Sequence, residues 1–310
     1  MKICIAHRYV DGPWGGGNSF VAQISKFLKR KNHNVVFDFS PDLDVILLID
    51  PRPTSSHTFD MAMEYKRKYP SVKLVHRIND TDKARPNSPP VREDYFISIN
   101  SEMDHTIFIS EWVRNHYIDK GLVDNGNQTV IINGCDLNTY YPKNKPSNIR
   151  NGIDLITHHW SDGLLKGFDV YNHLDKFIDE YPVNNFTYMG RYNNQYFPQN
   201  LKLIPPQEPK QIGNILRQNN VYITGARWEA CGMHHIEAAA SGLPILYHKD
   251  GGAIPEICKS YGFEFDSPEA IVLGLEDMVD NYEDYVSSID YEYLSLERCC
   301  SEYEEVFLNV

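Results

Sequence analysis

Short apolar runs alternate with amphipathic stretches along this chain, and after a polar interruption the alternation starts again. Residues 2–7, 33–39, 45–49, 72–77, 105–110 and 129–132 read as strands. Between them, Phe20, Ile24, Phe27 and Leu28 recur at helical spacing up to about Arg30. Residues 61–69 and 111–120 read as helices, and 95–101 as helical or irregular. Segments rich in Pro, Asn and charge interrupt the pattern at 80–92 and 141–151, the second with the composition of a linker. Strands then follow at 154–158, 186–189, 221–224 and 244–247. Helices are expected at 167–177, 211–217, 234–241, 268–281 and 291–307. Strand–helix alternation at this spacing implies parallel sheets covered by helices on both faces. The chain of 310 residues has room for two such domains, expected at 1–145 and 151–290.

Charge narrows the partners. The formal net charge is -12, which disfavours duplex nucleic acid, because phosphate binding needs a basic face. A small anion remains compatible, since a lysine and a helix N-terminus oppose the global charge locally. The six cysteines form no C-x-x-C pair, so a zinc site is not expected, and reduced thiols in a cytoplasmic protein are the simplest reading. The first residues do not resemble a signal peptide, and no apolar run is long enough to span a membrane.

Chemistry concentrates between Glu229 and Glu256. Gly232 permits a tight turn after a strand, and the next residues open an alanine-rich helix. Such a turn presents backbone N–H groups and the positive helix end, which suits a phosphate. Glu229 precedes the turn and Glu237 lies inside the helix, so both carboxylates suit hydroxyl groups better than phosphate. From spacing alone, two solvated glutamates flanking a helix fit equally well.

The ordered residues carry a resemblance. Glu229, Glu237, the run Ala-x-x-Ser241-Gly242-Leu243-Pro244-Ile245 and then Asp250-Gly251-Gly252-Ala253-Ile254-Pro255-Glu256 resemble the donor-site signature of retaining glycosyltransferase family 4. That signature is E-G-F-G-x-x-x-x-E-A-x-A-x-G-x-P-V followed by G-G-x-x-E. Gly15-Gly16-Gly17-x-x-Phe20 resembles the family's N-terminal glycine loop, and Asn133-Gly134-Cys135-Asp136-x-x-x-Tyr140-x-Pro142 resembles its N-G-V-D-x-x-x-F-x-P segment. Lys166-Gly167 matches the end of G-R-x-x-x-x-K-G, whereas Ser161 or Asp162 stands in the neighbourhood where that pattern has arginine.

The resemblance implies a GT-B fold, two Rossmann-like doubly wound α/β domains facing a cleft, with the helix in 291–310 crossing back onto the N-terminal domain. It implies a retaining transfer of a hexose or related sugar from a UDP- or GDP-sugar to a glycan or other hydroxyl acceptor, without a bound metal or other cofactor. Lys166 is expected on the donor diphosphate, together with the backbone of Gly232, Met233 and His234. Glu229 is expected on the transferred sugar and Glu237 on the ribose diol. Gly16 and Gly17 allow close approach of the N-terminal domain. Arg191 or Arg227, with Ser161 nearby, stand in for the missing arginine. His76, or Asp80, at the end of a strand is a candidate contact to sugar or acceptor. The histidine pairs 158–159 and 234–235 are not expected to share a metal, because adjacent side chains diverge. A catalytically silent nucleotide-sugar-binding protein, and a GT-B phosphorylase or epimerase acting on sugar phosphates, are the rival readings.

Overall fold

A computed structural model describes residues 1–10, 15–85, 92–143, 149, 152–181, 183–192, 196 and 198–310. The expected linker and the 80–92 interruption lie partly outside these residues. The chain forms two compact units, one of Met1–Asn133 with Glu297–Val310, the other of Gly134–Leu296.

The first unit contains β1 (Lys2–Ala6), α1 (Gly15–Arg30), β2 (Asn34–Val36), β3 (Val45–Leu48), α2 (Phe59–Lys68) and β4 (Lys73–Ile78). It continues with α3 (Arg92–Ile99), β5 (His105–Phe108), α4 (Glu111–Asp119) and β6 (Gln128–Val130). The six strands are parallel, in the order β2-β1-β3-β4-β5-β6. Val45, Ile46, Leu47 and Leu48 are all buried, as a parallel strand covered on both faces requires. Thr58 and Ser110 cap α2 and α4, their hydroxyls accepting from Met61 N at 3.2 Å and Val113 N at 3.1 Å.

The second unit opens with β7 (Ile153–His159), α5 (Phe168–Phe177), β8 (Val183–Gly190) and β9 (Lys202–Ile204). Then come α6 (Pro209–Leu216), β10 (Val221–Thr224), α7 (Met233–Ala240), β11 (Ile245–His248), α8 (Ile254–Cys258), β12 (Gly262–Phe265) and α9 (Ile271–Ser287). Its sheet is also parallel and six-stranded, ordered β12-β11-β10-β7-β8-β9. The chain runs outward from β7 through β8 to β9, then returns to place β10 on the other side of β7. The gap between β7 and β10 is therefore a topological switch point, where ligands bind in such sheets. The aromatic residues serve this unit's core: Phe168, Tyr171, Phe186, Tyr188 and Phe265 are buried in one cluster.

The last helix, α10 (Leu296–Asn309), completes the first unit. Its Tyr303 packs on Phe20 at 5.0 Å between ring centroids and accepts a hydrogen bond from the buried Arg77 Nε at 2.9 Å. Arg77 also donates to Asn133 at 3.0 Å.

Several expectations are corrected. Gly15 to Gly17 form the first turn of α1, with Gly15 at φ 76°, instead of a turn before the helix. The strand expected over 33–39 shrinks to Asn34–Val36. The stretch at 95–101, expected as helical or irregular, is helical, and its helix begins earlier, at Arg92. The helix expected from 268 starts with a 3-10 turn at Pro268–Ala270 and runs on to Ser287. The helix expected from 291 begins only at Leu296. β9, α8 and β12 were not expected: β9 and β12 are partly exposed and lack the continuous apolar run of strands such as β3, and α8 has only five residues. Among the described residues, no helix is long and apolar enough to cross a membrane.

Candidate functional site

Three loops leave neighbouring strands of the second unit at the carboxyl edge of the sheet. They follow β7, β10 and β11, adjacent in the strand order. Glycines let the loops touch. Gly167 adopts φ +88°, and a Cβ there would stand 2.3 Å from the Gly225 carbonyl carbon. Arg227 N donates to Leu165 O at 2.9 Å, tying the β7 loop to the β10 loop. On the other side, Trp228 N donates to Asp250 O at 2.8 Å and Ala253 N to Glu229 O at 2.8 Å. A Cβ on Gly252, at φ +71°, would meet Glu229 O at 2.4 Å. Trp228 itself adopts φ 56°, an uncommon conformation for a bulky residue.

This lacing delivers Lys166, at the end of a 3-10 turn (Leu164–Lys166), onto Glu229. Lys166 Nζ and Glu229 Oε1 form an ion pair, both side chains mostly buried. The other carboxylate oxygen, Glu229 Oε2, lies against Gly232, where a Cβ would come within 2.9 Å of it. Gly232 is the residue before α7, with no side chain to cap the helix. The first N–H groups of a helix lack intrahelical acceptors and carry its positive end. The site thus joins an ammonium, a carboxylate and a helix N-terminus.

Glu237 lies on the same helix as Met233 and His234. His158, near the end of β7, brings Nε2 to 2.9 Å from Glu237 Oε2. The buried Tyr140 also hydrogen-bonds Glu237, and burial, then the adjacent carboxylate, pushes its phenol upward.

The remaining candidates are placed differently. Arg227 is engaged by Asp169 through two hydrogen bonds of 2.8 and 2.6 Å. Burial raises the Asp169 carboxyl, but the bonds and charge of Arg227 outweigh it and leave it lowered. Arg191 stacks its guanidinium on Trp160, 4.1 Å from the ring centroid. Ser161 is exposed and its Oγ accepts from Gly163 N at 3.2 Å. The His234 ring is buried beside Thr224 Oγ1 at 3.3 Å, so only its backbone suits an anion at the helix end. Gly16, Gly17 and His76 belong to the first unit. A Cβ on Gly17 meets no described atom within 4 Å.

His76 was expected at an open strand end. It sits instead in the body of β4, fully buried with its ring edge-on to Phe96 at 4.7 Å, and burial pushes it down to about 3. Asp80 bonds with Arg85 and with Arg92, the latter at 3.0 Å.

The adjacent histidines diverge as strand geometry demands. His158 turns to Glu237, whereas His159 Nε2 lies 2.6 Å from the Tyr171 hydroxyl. Burial drives His159 and His234 well below the usual range and His235 to about 3. Among the described residues, no group of three or more His, Cys, Asp or Glu is arranged to hold a metal.

Reading the sequence did not find the partnership of His158 and Tyr140 with Glu237, nor the Asp169–Arg227 pair. The one available signal was Tyr140, a hydroxyl at a position where the motif quoted above has phenylalanine.

Comparison with solved structures defines the fold class as GT-B. HepE of Anabaena, solved with UDP and glucose, is 14% identical, aligns over 100% of both chains and has a TM-score of 0.72. Sucrose-phosphate synthase of Thermosynechococcus elongatus is 12% identical over 95% of this chain and 93% of its own, with a TM-score of 0.66. A glycosyltransferase from Rickettsia africae is 15% identical over 98% and 84%, with a TM-score of 0.64. Residues 193–294, the stretch that carries Glu229, Glu237 and Gly252, match the family model described as glycosyl transferases group 1. No curated protein matches the chain in sequence.

Proposed function

We propose that this protein is a retaining glycosyltransferase that uses a nucleotide-sugar donor. The observation that carries the reading is the Lys166–Glu229 pair beside the N-terminus of α7, at the switch point of the second sheet. A donor diphosphate takes the ammonium of Lys166 and the backbone N–H groups of Gly232, Met233 and His234. Glu229, released from part of its pairing, accepts from hydroxyls of the transferred sugar. Glu237 accepts from the ribose diol.

In the transfer, the bond between the anomeric carbon and the diphosphate oxygen breaks, and the nucleoside diphosphate leaves. The acceptor hydroxyl oxygen bonds to that carbon on the same face, and its proton passes to the departing phosphate. Lys166 stabilises the charge that grows on that phosphate, so its effect is larger in the transition state than before it. The charge is met without a metal ion. The complexes of HepE with UDP and with UDP-glucose support a uridine donor here. A glycan or other hydroxyl compound is the acceptor.

The engaged state of Arg227 and the serine at 161 favour a second reading, a binding protein without turnover. Incubation with UDP- and GDP-sugars, following nucleoside diphosphate release, separates the two. Release by the wild type, lost in Lys166→Ala, supports the enzyme. Tight binding without release, with or without acceptors, supports the silent protein.

A further inference from the structure

We infer that Tyr140 and His158 are positioning residues that fix the Glu237 carboxylate for a vicinal diol; this rests on the donor reading above. A carboxylate offers about four lone-pair positions. His158 Nε2 and the Tyr140 hydroxyl occupy part of that set, from two separate segments of the second unit. Each donor is itself held. Tyr140 ends a turn in which Asp136 accepts from Asn138 N at 3.0 Å, Thr139 Oγ1 at 2.9 Å and, through its carbonyl, Tyr140 N at 2.9 Å.

His158 lies beyond the last paired residues of β7 and β10, Ile156 and Tyr222. There the Tyr222 hydroxyl replaces a strand partner, accepting from His158 N and donating to His158 O, both at 3.1 Å. The His158 ring stands edge-on to the Tyr222 ring at 5.5 Å. Its other nitrogen, Nδ1, is buried with no hydrogen-bond partner, so the contact with Glu237 is made through Nε2.

Glu237 therefore keeps a small exposed face, 16% of its side chain, and has lost the freedom to turn. Two neighbouring hydroxyls reach one carboxylate together only in a limited set of its orientations, so a mobile carboxylate incurs an ordering cost to receive them. The two donors set that plane in advance, so the ordering cost falls before the ligand arrives. Their removal weakens ligands with the diol and leaves ligands without it unchanged, which a purely structural role does not do.

The test is calorimetric titration of wild type, Glu237→Gln, Tyr140→Phe, His158→Leu and His158→Gln with UDP and 2′,3′-dideoxy-UDP, and with the guanosine pair. The wild type should prefer the diol by about ten-fold or more, the scale of hydrogen bonds to a charged group. Glu237→Gln should reduce that ratio. Tyr140→Phe and His158→Leu should each cut it several-fold while the dideoxy affinity holds, and His158→Gln, which keeps a donor, should restore part of it. Full discrimination in both Tyr140→Phe and His158→Leu, with loss in Glu237→Gln, overturns the positioning role alone. Equal weakening of both nucleotides with a lower unfolding midpoint also overturns it. A wild type without diol preference overturns the ribose assignment and this inference with it. Should His158→Leu fail to fold, Tyr140→Phe, which loses one oxygen atom, decides.

Discussion

Lys166 and Glu229, 63 positions apart in the chain, form an ion pair at the mouth of the switch point between β7 and β10. Two glycines, Gly167 and Gly225, let the backbones of the two loops that carry the pair come together. In the ligand-free state each partner satisfies the other. In the proposed function a donor would separate their duties, the ammonium going to phosphate and the carboxylate to sugar hydroxyls.

That division predicts different losses. Glu229→Ala should retain nucleoside diphosphate affinity within a few-fold and lose turnover by about 10²–10³, the range for removing one group aimed at a transition state. Binding by calorimetry and donor turnover, measured on the same preparation, check this. A parallel loss of nucleotide affinity contradicts it.

Gly252 permits the approach of Glu229. Alanine at φ +71°, with its Cβ 2.4 Å from Glu229 O, has to push the two loops apart. Gly252→Ala should destabilise the protein by about 2–3 kcal/mol, in the upper range for backbone substitutions, and reduce turnover with it. Denaturant unfolding with an unchanged slope measures the first effect. An unaffected midpoint would show that the contact is not needed.

Arg227 is the cation that the Asp169 carboxylate already engages. Because the pair is partly exposed, its net worth is small, about 1 kcal/mol or less. Arg227→Ala should therefore change UDP affinity by less than about three-fold, against a much larger loss for Lys166→Ala. A loss comparable to that of Lys166→Ala would make Arg227 the replacement for the arginine absent at Ser161.

Buried histidines shape the acid response, and four of them contribute most, beside smaller depressions at His57, His105 and His248. Burial depresses His76 and His235 to about 3, and His159 and His234 well below the usual range. Their unfolded values lie near 6.5, so the unfolded state binds more protons in between. Stability from this source is complete above about pH 6.5 and is lost as pH falls toward 3. The slope is up to about 1.4 kcal/mol per pH unit for each histidine. Unfolding at pH 7, 6 and 5 should show the decline, and His76→Leu should flatten it by about one proton. An unchanged slope in that variant contradicts the assignment.

The fold was readable because parallel strands buried on both faces leave continuous apolar runs such as Val45–Leu48. The three-residue β9 has two exposed residues and no such signal. Lys166, Glu229 and Glu237 were legible through their order in a motif that resembles a known family's, because spacing alone left two solvated glutamates equally possible. His158 and Tyr140 were not. Their role depends on two segments meeting at one carboxylate, and no local pattern encodes that meeting. His76 was misplaced because its distance from the strand end was read from the sequence as shorter than the strand makes it. Arg227 was read as a free cation because its partner, Asp169, lies 58 positions away.

The central claim is that a diphosphate sits on Lys166 at the start of α7. Titration of the wild type and Lys166→Ala with UDP and with uridine tests it most directly. The account predicts that the wild type binds UDP at least about ten-fold more tightly than uridine, and that Lys166→Ala loses most of that difference while binding uridine as before. A wild type indifferent to the diphosphate, or a variant that keeps the full preference, would contradict it.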